Sequence, residues 1–277
     1  MLEHGTPVRL NPRVQRLVAP NPGVMTGPGT NTYLLGTAAV AVVDPGPALP
    51  AHIDAILEAA GERIRWVVCT HTHPDHSPAW RAIAEATGAE VIGALPADDL
   101  FQDDTFAPNR EVVHDDVLVT DEFTLRAVHT PGHVSNHFCF LLEQEHMLFA
   151  GDHIMNGSTV VIVPPGGDMQ AYIKSLELLL RYPLQVIAPG HGELLSEPRA
   201  AIEWLIDHRL MRERKVIAAL RQSGAASLDK LVEVVYDDVD SSLHQMARLS
   251  LSAHLIKLQR ESRARHRDAD DAWEMLD

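Results

Sequence analysis

Cysteine is scarce in this 277-residue chain: there are two, Cys69 and Cys139. Seventy positions apart, they offer no disulfide framework, and Cys69 sits in an apolar run where burial is expected over reactivity. No run of about 18 apolar residues occurs, so a membrane-spanning helix is excluded. Residues 1–22 carry scattered charge and several prolines in place of an apolar secretory segment, and a cytoplasmic location is the expectation. Positive charge is short as well. Against 38 Asp and Glu stand 23 Lys and Arg, a net −15 that speaks against a nucleic-acid binder of the ordinary basic kind. The deficit is local. From Arg209 onward 12 cations meet 12 anions, leaving 11 against 26 in residues 1–208. The C-terminal cations fall into two clusters, Arg209, Arg212, Arg214, Lys215 and Arg221, then Lys257, Arg260, Arg263, Arg265 and Arg267. Each cluster reads as a solvated helix face or as a nucleic-acid footprint.

Histidine is plentiful, with 16 in the chain. Nine of them (His4, His52, His114, His129, His146, His208, His244, His254 and His266) stand in contexts typical of surface or satisfied core residues. Others sit in T-H-T-H-P-D-H (70–76), T-P-G-H (130–133), A-G-D-H (150–153) and P-G-H-G (189–192). His71, His73, Asp75, His76, His133, Asp152 and His191 each follow an apolar run that reads as a short buried strand. Loops at strand ends are where function is commonly placed. Five imidazoles and two carboxylates exceed the needs of one catalytic zinc, which takes about three protein ligands plus water. They suit two adjacent divalent ions sharing a carboxylate. Zinc fits a His-rich set with two carboxylates best, with manganese and iron still open.

These motifs resemble the metallo-β-lactamase superfamily signature, H-x-H-x-D-H followed by distant His, Asp and His. The resemblance implies that His71, His73 and His133 hold the first metal, that Asp75, His76 and His191 hold the second, and that Asp152 bridges them. Neither cysteine is at the bridging position, which disfavours lactamases with a Cys ligand. His73 stands where the di-iron oxygen-reducing branch tends to have Glu, and the mono-iron dioxygenases do not use the second-metal set. Together with G-T-N-T-Y-L (29–34), Gly167-Asp168-Met169 and His208-Arg209, the chain resembles the β-lactamase-like protein 2 group. That group joins the catalytic domain to a small winged-helix-like domain, and its characterised animal member cleaves single-stranded RNA. One departure is visible: relatives commonly follow the first motif with Gly-Gly, where this chain has Ser77-Pro78. Ser suits a helix cap and Pro the first helical position, so a helix is expected to open there.

Along the chain, strands are expected at 14–18, 32–36, 40–43, 66–69, 112–119, 123–128, 138–142 and 147–150. Helices are expected at 53–60, from 77 to about 88, and at 169–181. This order fits the αβ/βα sandwich that the resemblance implies, with a catalytic domain at 1–200 and a winged-helix-like α domain at 201–277. Helical patterns at 199–222, 227–236 and 242–260 would equally permit a helical lid or a homodimerisation arm.

Two divalent metals can acidify a shared water and polarise the substrate. The expected activity is hydrolysis of single-stranded RNA by a metal-bound hydroxide, with Asp75 and Asp152 in catalytic roles. The alternative is a glyoxalase II-like hydrolase of small esters or thioesters, whose metal set is the same. A non-enzymatic winged-helix binding module has no use for seven ligands. Asn136 and His137 are candidate substrate-binding groups that read equally well as loop and strand caps. Thr30, Asn31 and Thr32 are expected to shape the floor of the site.

Overall fold

The computed structural model describes Leu2–Leu276 and contains two compact units. The first comprises Met1–Thr130, Asn136–Val160 and Tyr182–Arg199. The second comprises Pro131–Ser135, Val161–Arg181 and Ala200–Asp277, so no single cut of the chain separates them.

The first unit holds two sheets. Strands β1 (Val8–Arg9), β2 (Val14–Val18), β3 (Asn31–Leu35), β4 (Val40–Val43), β5 (Ile64–Val68), β6 (Glu90–Gly93) and β7 (Arg110–Glu111) lie side by side in chain order. The pairings are antiparallel as far as β4 and parallel from β4 to β7. Each parallel crossover needs a connecting segment. Helix α1 (Pro50–Ala60) supplies the one from β4 to β5, and α2 (Trp80–Thr87) the one from β5 to β6. Both helices bury apolar residues against one face of the sheet, with Ile56, Ala60 and Ile83 meeting Leu34, Val42, Val67 and Val91. The second sheet has the order β12 (Val186–Pro189), β11 (Met147–Gly151), β10 (Phe138–Leu142), β9 (Thr124–His129) and β8 (Val117–Val119). Between the sheets Tyr33, Val43, Val68, Phe123, Phe140 and Phe149 close an apolar core. Because both faces of β3, β4, β10 and β11 are covered, these strands are buried at every position. That burial accounts for their near-continuous apolar sequences.

Two expected elements differ. The run at 112–119 is not one strand: β7 ends at Glu111 in the first sheet, and only 117–119 is extended, as β8 in the second. The chain changes sheets through a turn in which Asp115 takes φ of 69°. Nor does Ser77 cap a helix. Helix α2 starts at Trp80 with Ala79 as its N-cap, while the Ser77 hydroxyl donates instead to Asp103 at 2.8 Å.

In the second unit, α3 (Met169–Leu179) is capped by Asp168, whose carboxylate accepts from the Ala171 N–H at 2.8 Å. Helix α4 (Pro198–Ser223) leads to α5 (Leu228–Val235), α6 (His244–Arg260) and a hairpin of β13 (Ala264–Arg267) with β14 (Ala272–Met275). Leu220, Leu231, Val235, Leu251, Leu255 and Trp273 form the core of this helix-and-hairpin module. Glu213 is 6 % exposed, with the Lys257 ammonium at 2.8 Å and the His254 ring at 3.7 Å. Burial opposes its ionisation, yet His254 and Lys257 outweigh burial and bring its pKa from 4.5 to about 2. A depressed carboxylate contributes stability that is present above 4.5 and lost as pH falls from 4.5 towards 2. Glu213→Gln should therefore lower stability at pH 7 by about 3 kcal/mol, since it leaves Lys257 without that partner. It should also flatten the acid limb of a thermal-melt series. An unchanged melting temperature at pH 7 would show that the pair contributes nothing.

Candidate metal centre

The C-terminal ends of β5, β11 and β12 deliver the motif residues of the first unit. After β5 the chain turns back on itself, with the N–H groups of His76 and Ser77 bonded to the His73 carbonyl. This fold-back puts His71, His73 and His76 within one turn: the His71 and His76 ring centroids are 4.2 Å apart, and those of His71 and His73 are 4.6 Å apart. His71 Nε2 and His73 Nδ1 approach to 3.0 Å. The donor atoms of His71, His73 and Asp152 all lie within 4.8 Å of one another, as do those of Asp75, His76 and His191. Asp152 ties the two groups together, its Oδ1 being 3.3 Å from His76 Nε2 and 3.2 Å from His191 Nε2. Asp75 Oδ2 faces the same two nitrogens at 3.5 and 3.2 Å. His133 sits on Pro131–Ser135, the short segment assigned to the second unit, and its Nδ1 bonds the Val161 carbonyl at 2.9 Å.

The close approach depends on a bare backbone at Gly190. A Cβ there would stand 2.6 Å from His76 Cε1 and 2.8 Å from Asp152 Oδ1. Asn31, at the start of β3, ties that strand to the segment that carries His191. The Asn31 side-chain amide donates to the carbonyls of Pro189 and Gly192, both at 2.9 Å, and the Asn31 N–H donates to Gly190 at 2.7 Å.

The donor set fits divalent cations. His76 Nε2 and His191 Nε2 are buried and make no hydrogen bond among the described residues, although both face carboxylate oxygens. Nitrogens and carboxylates converging without hydrogen-bond geometry are what an ion between them would satisfy. The electrostatics agree. Burial pushes the His76 ring towards the neutral form, but Asp75, Asp152 and Asp44 outweigh it and hold its pKa well above the usual range. His191 is likewise held up at about 9, where Asp152 overcomes burial. The Asp152 carboxyl would rise on burial, and His191 and His76 instead hold it well below its usual range. The site thus attracts positive charge, which protons supply when no metal does. His71 behaves oppositely, driven down by burial and by the neighbouring His76, His73 and His137.

The two candidate substrate groups are both buried. His137 is wholly buried, with Nδ1 2.9 Å from the Thr130 hydroxyl and its ring 5.0 Å from that of His71. Asn136 is 9 % exposed and uses its amide N–H groups on Thr72 Oγ1 at 2.7 Å and the Leu95 carbonyl at 2.9 Å. These bonds fasten both residues to the segments around the ligand loop. One residue was absent from the sequence reading. Asp44, at the end of β4 and 2 % exposed, accepts from the Thr70 N–H at 2.7 Å and the Thr70 hydroxyl at 2.8 Å. Its Oδ2 also lies 2.9 Å from His76 Nδ1, which leaves His76 Nε2 turned towards Asp75 and Asp152. The signal was V-V-D-P-G, an acid directly after a buried strand like the other ligand groups.

Comparison with known proteins agrees with this geometry. Residues 25–191 match the metallo-beta-lactamase superfamily, and residues 227–273 match the beta-lactamase associated winged helix domain. A Beta-lactamase-like protein 2 homolog from Drosophila melanogaster is 33 % identical, covering 96 % of this chain and 94 % of its own. An atrochrysone carboxyl ACP thioesterase from Aspergillus chevalieri is 32 % identical, covering 86 % of this chain and 78 % of its own. Among solved structures, a beta-lactamase domain protein from Burkholderia ambifaria superposes with a TM-score of 0.83 at 20 % identity, covering 100 % of this chain and 95 % of that one. Among the described residues no helix is long and apolar enough to cross a membrane. The chain belongs to the metallo-beta-lactamase superfamily, as a metal-dependent hydrolase that carries a C-terminal winged-helix domain.

Proposed function

We propose that this chain is a dinuclear zinc hydrolase that cleaves a small acyl ester or thioester. His71, His73 and, by its T-P-G-H motif, His133 would hold the first ion. Asp75, His76 and His191 would hold the second, and Asp152 would serve both. When bound, the two ions would supply Lewis acidity and lower the pKa of a water that they share. The chain's own groups do the rest. Asp152, between His76 and His191, offsets the cationic charge. Asp75, the more open of the two carboxylates at 26 % side-chain exposure against 12 %, is placed to orient the nucleophile and to take its proton. Asp44 fixes the direction of His76.

The observation that carries the choice of substrate is the state of the C-terminal cations. Arg212 is 6 % exposed, 4.7 Å over the Tyr236 ring, and paired with Asp238 at 2.5 Å. Lys215 pairs with Asp237 at 2.6 Å, Lys257 with Glu213 at 2.8 Å, Arg263 with Glu261 at 3.2 Å and Arg267 with Glu274 at 3.1 Å. Arg260 and Arg265 contact Asp168 and Glu274. Seven of the ten clustered cations thus meet carboxylates, which weakens their attraction for a polyphosphate, and the chain as a whole stays at −15. This ranks a small acyl substrate above single-stranded RNA and reverses the order that the resemblance implies. A relative that bears the name of an ACP thioesterase over most of its length agrees with that order.

The test sets a small acyl thioester, followed by thiol release, beside a labelled single-stranded RNA, both with zinc-loaded protein. Thioester turnover that chelation abolishes, with RNA left intact, is the expected result. RNA cleavage that weakens steeply with salt, beside inert thioester, would return the assignment to phosphodiester hydrolysis.

A further inference from the structure

Residues 95–103 form a loop whose two ends are both fastened to the ligand loop. At one end the Asn136 amide bridges the Leu95 carbonyl at 2.9 Å and Thr72 Oγ1 at 2.7 Å. At the other, the Asp103 N–H donates to the Thr72 carbonyl at 2.6 Å, and the Thr72 hydroxyl contacts Gln102 Oε1. Thr72 stands between His71 and His73, so the loop is anchored within one residue of two candidate metal ligands. A third anchor is Ser77, whose hydroxyl donates to Asp103 Oδ2 at 2.8 Å.

A base so well fastened carries an apolar tip. Leu95, Leu100 and Phe101 are 51, 69 and 68 % exposed. Phe101 also takes φ of 69°, a left-handed conformation that aromatic side chains rarely adopt and that tends to persist at functional positions. Gln102 Nε2 donates to Asp99 Oδ1 at 2.7 Å, closing the tip on itself. Large apolar side chains held out on a pinned loop beside a reaction centre call for an apolar cover.

We propose that residues 95–101 are the specificity loop of this hydrolase, that Leu100 and Phe101 bind the hydrocarbon portion of the substrate's acyl group, and that Ser77 and Asn136 are positioning residues that hold the loop. The substrate class is then an ester or thioester of a medium-length aliphatic or aromatic acid. The assignment rests on the acyl-ester reading above.

The experiment compares p-nitrophenyl acetate with p-nitrophenyl octanoate on zinc-loaded parent, Leu100→Gln/Phe101→Asn and Ser77→Ala proteins. Asn is chosen at position 101 because it tolerates positive φ. In the double variant KM for octanoate should rise about tenfold while KM for acetate, both kcat values and zinc content stay at parental levels. Ser77→Ala should shift the octanoate-to-acetate preference the same way, at full zinc content, which a merely structural defect would not do. Isothermal titration of octanoate into each protein should show the same weakening without turnover. Equal changes on both esters, or none, overturn the specificity loop and leave the hydrolase reading standing. A zinc-loaded parent that hydrolyses neither ester overturns both. Octanoate-independent binding of the parent to lipid vesicles, lost in the double variant, would assign the patch to a membrane surface and also overturn the proposal.

Discussion

Asp152→Ala should lose at least about a thousandfold in turnover, or ~4 kcal/mol of transition-state stabilisation. Its bound zinc should fall from two equivalents to one or fewer. The reason lies in position. Asp152 Oδ1 lies 3.3 and 3.2 Å from His76 Nε2 and His191 Nε2, and the Asp152 carboxylate also belongs to the group with His71 and His73. Among the described residues no other carboxylate of the first unit meets both groups; Asp75 groups with His76 and His191. Without Asp152 two cations placed there would repel with less to offset them, and a carboxylate one layer out cannot substitute for a ligand. Far-ultraviolet circular dichroism distinguishes loss of site from loss of fold. A variant that retains two zinc ions and near-parental turnover would show that Asp152 is not shared between them.

The candidate ligand motifs stand out because each follows an apolar-rich strand, and in β11 burial on both faces makes that strand apolar at every position. What the sequence hid has physical causes. Asp44 is followed by Pro-Gly, so it reads as a turn; only the sheet order reveals that β4 and β5 are neighbours, which brings Asp44 under Thr70 and His76. Ser77-Pro78 has the composition of a helix start, but the Ser77 hydroxyl is drawn to Asp103, 26 positions away, and the helix begins later. Such long-range competition overrides capping preference. The run at 112–119 is apolar at both ends, and its polar centre, His114-Asp115-Asp116, is where the chain turns from one sheet towards the other. The hairpin of β13 and β14 was missed for a different reason. Its strands carry Arg265, Arg267 and Glu274 on one face, so apolar periodicity is weak, and the pairing is marked by Arg265 and Arg267 on Glu274. Those same pairs are invisible to a count of charge along the chain, because Glu274 meets Arg265 and Arg267 only when the hairpin closes.

Asp44 provides the second large effect. A metal-ligating imidazole is oriented by what its other nitrogen meets, and losing such a partner typically lowers metal affinity or activity about 10- to 100-fold. Asp44→Asn should therefore weaken zinc binding at the Asp75, His76 and His191 group within that range and lower turnover in proportion. The Asn side chain also tolerates the φ of 50° that Asp44 adopts, so the backbone should survive the exchange. Asp44→Ala should cost more. It removes the acceptor of the buried Thr70 N–H as well, a loss of about 1–3 kcal/mol in stability, and the Ala side chain resists positive φ. Zinc titration monitored by a competing chromogenic chelator separates the two variants, since both should show one weakened equivalent and one near parental. If Asp44→Asn binds both equivalents as tightly as the parent, His76 is held by its ring packing against His71 at 4.2 Å and His191 at 5.1 Å. The carboxylate would then serve only to fasten Thr70 to the end of β4.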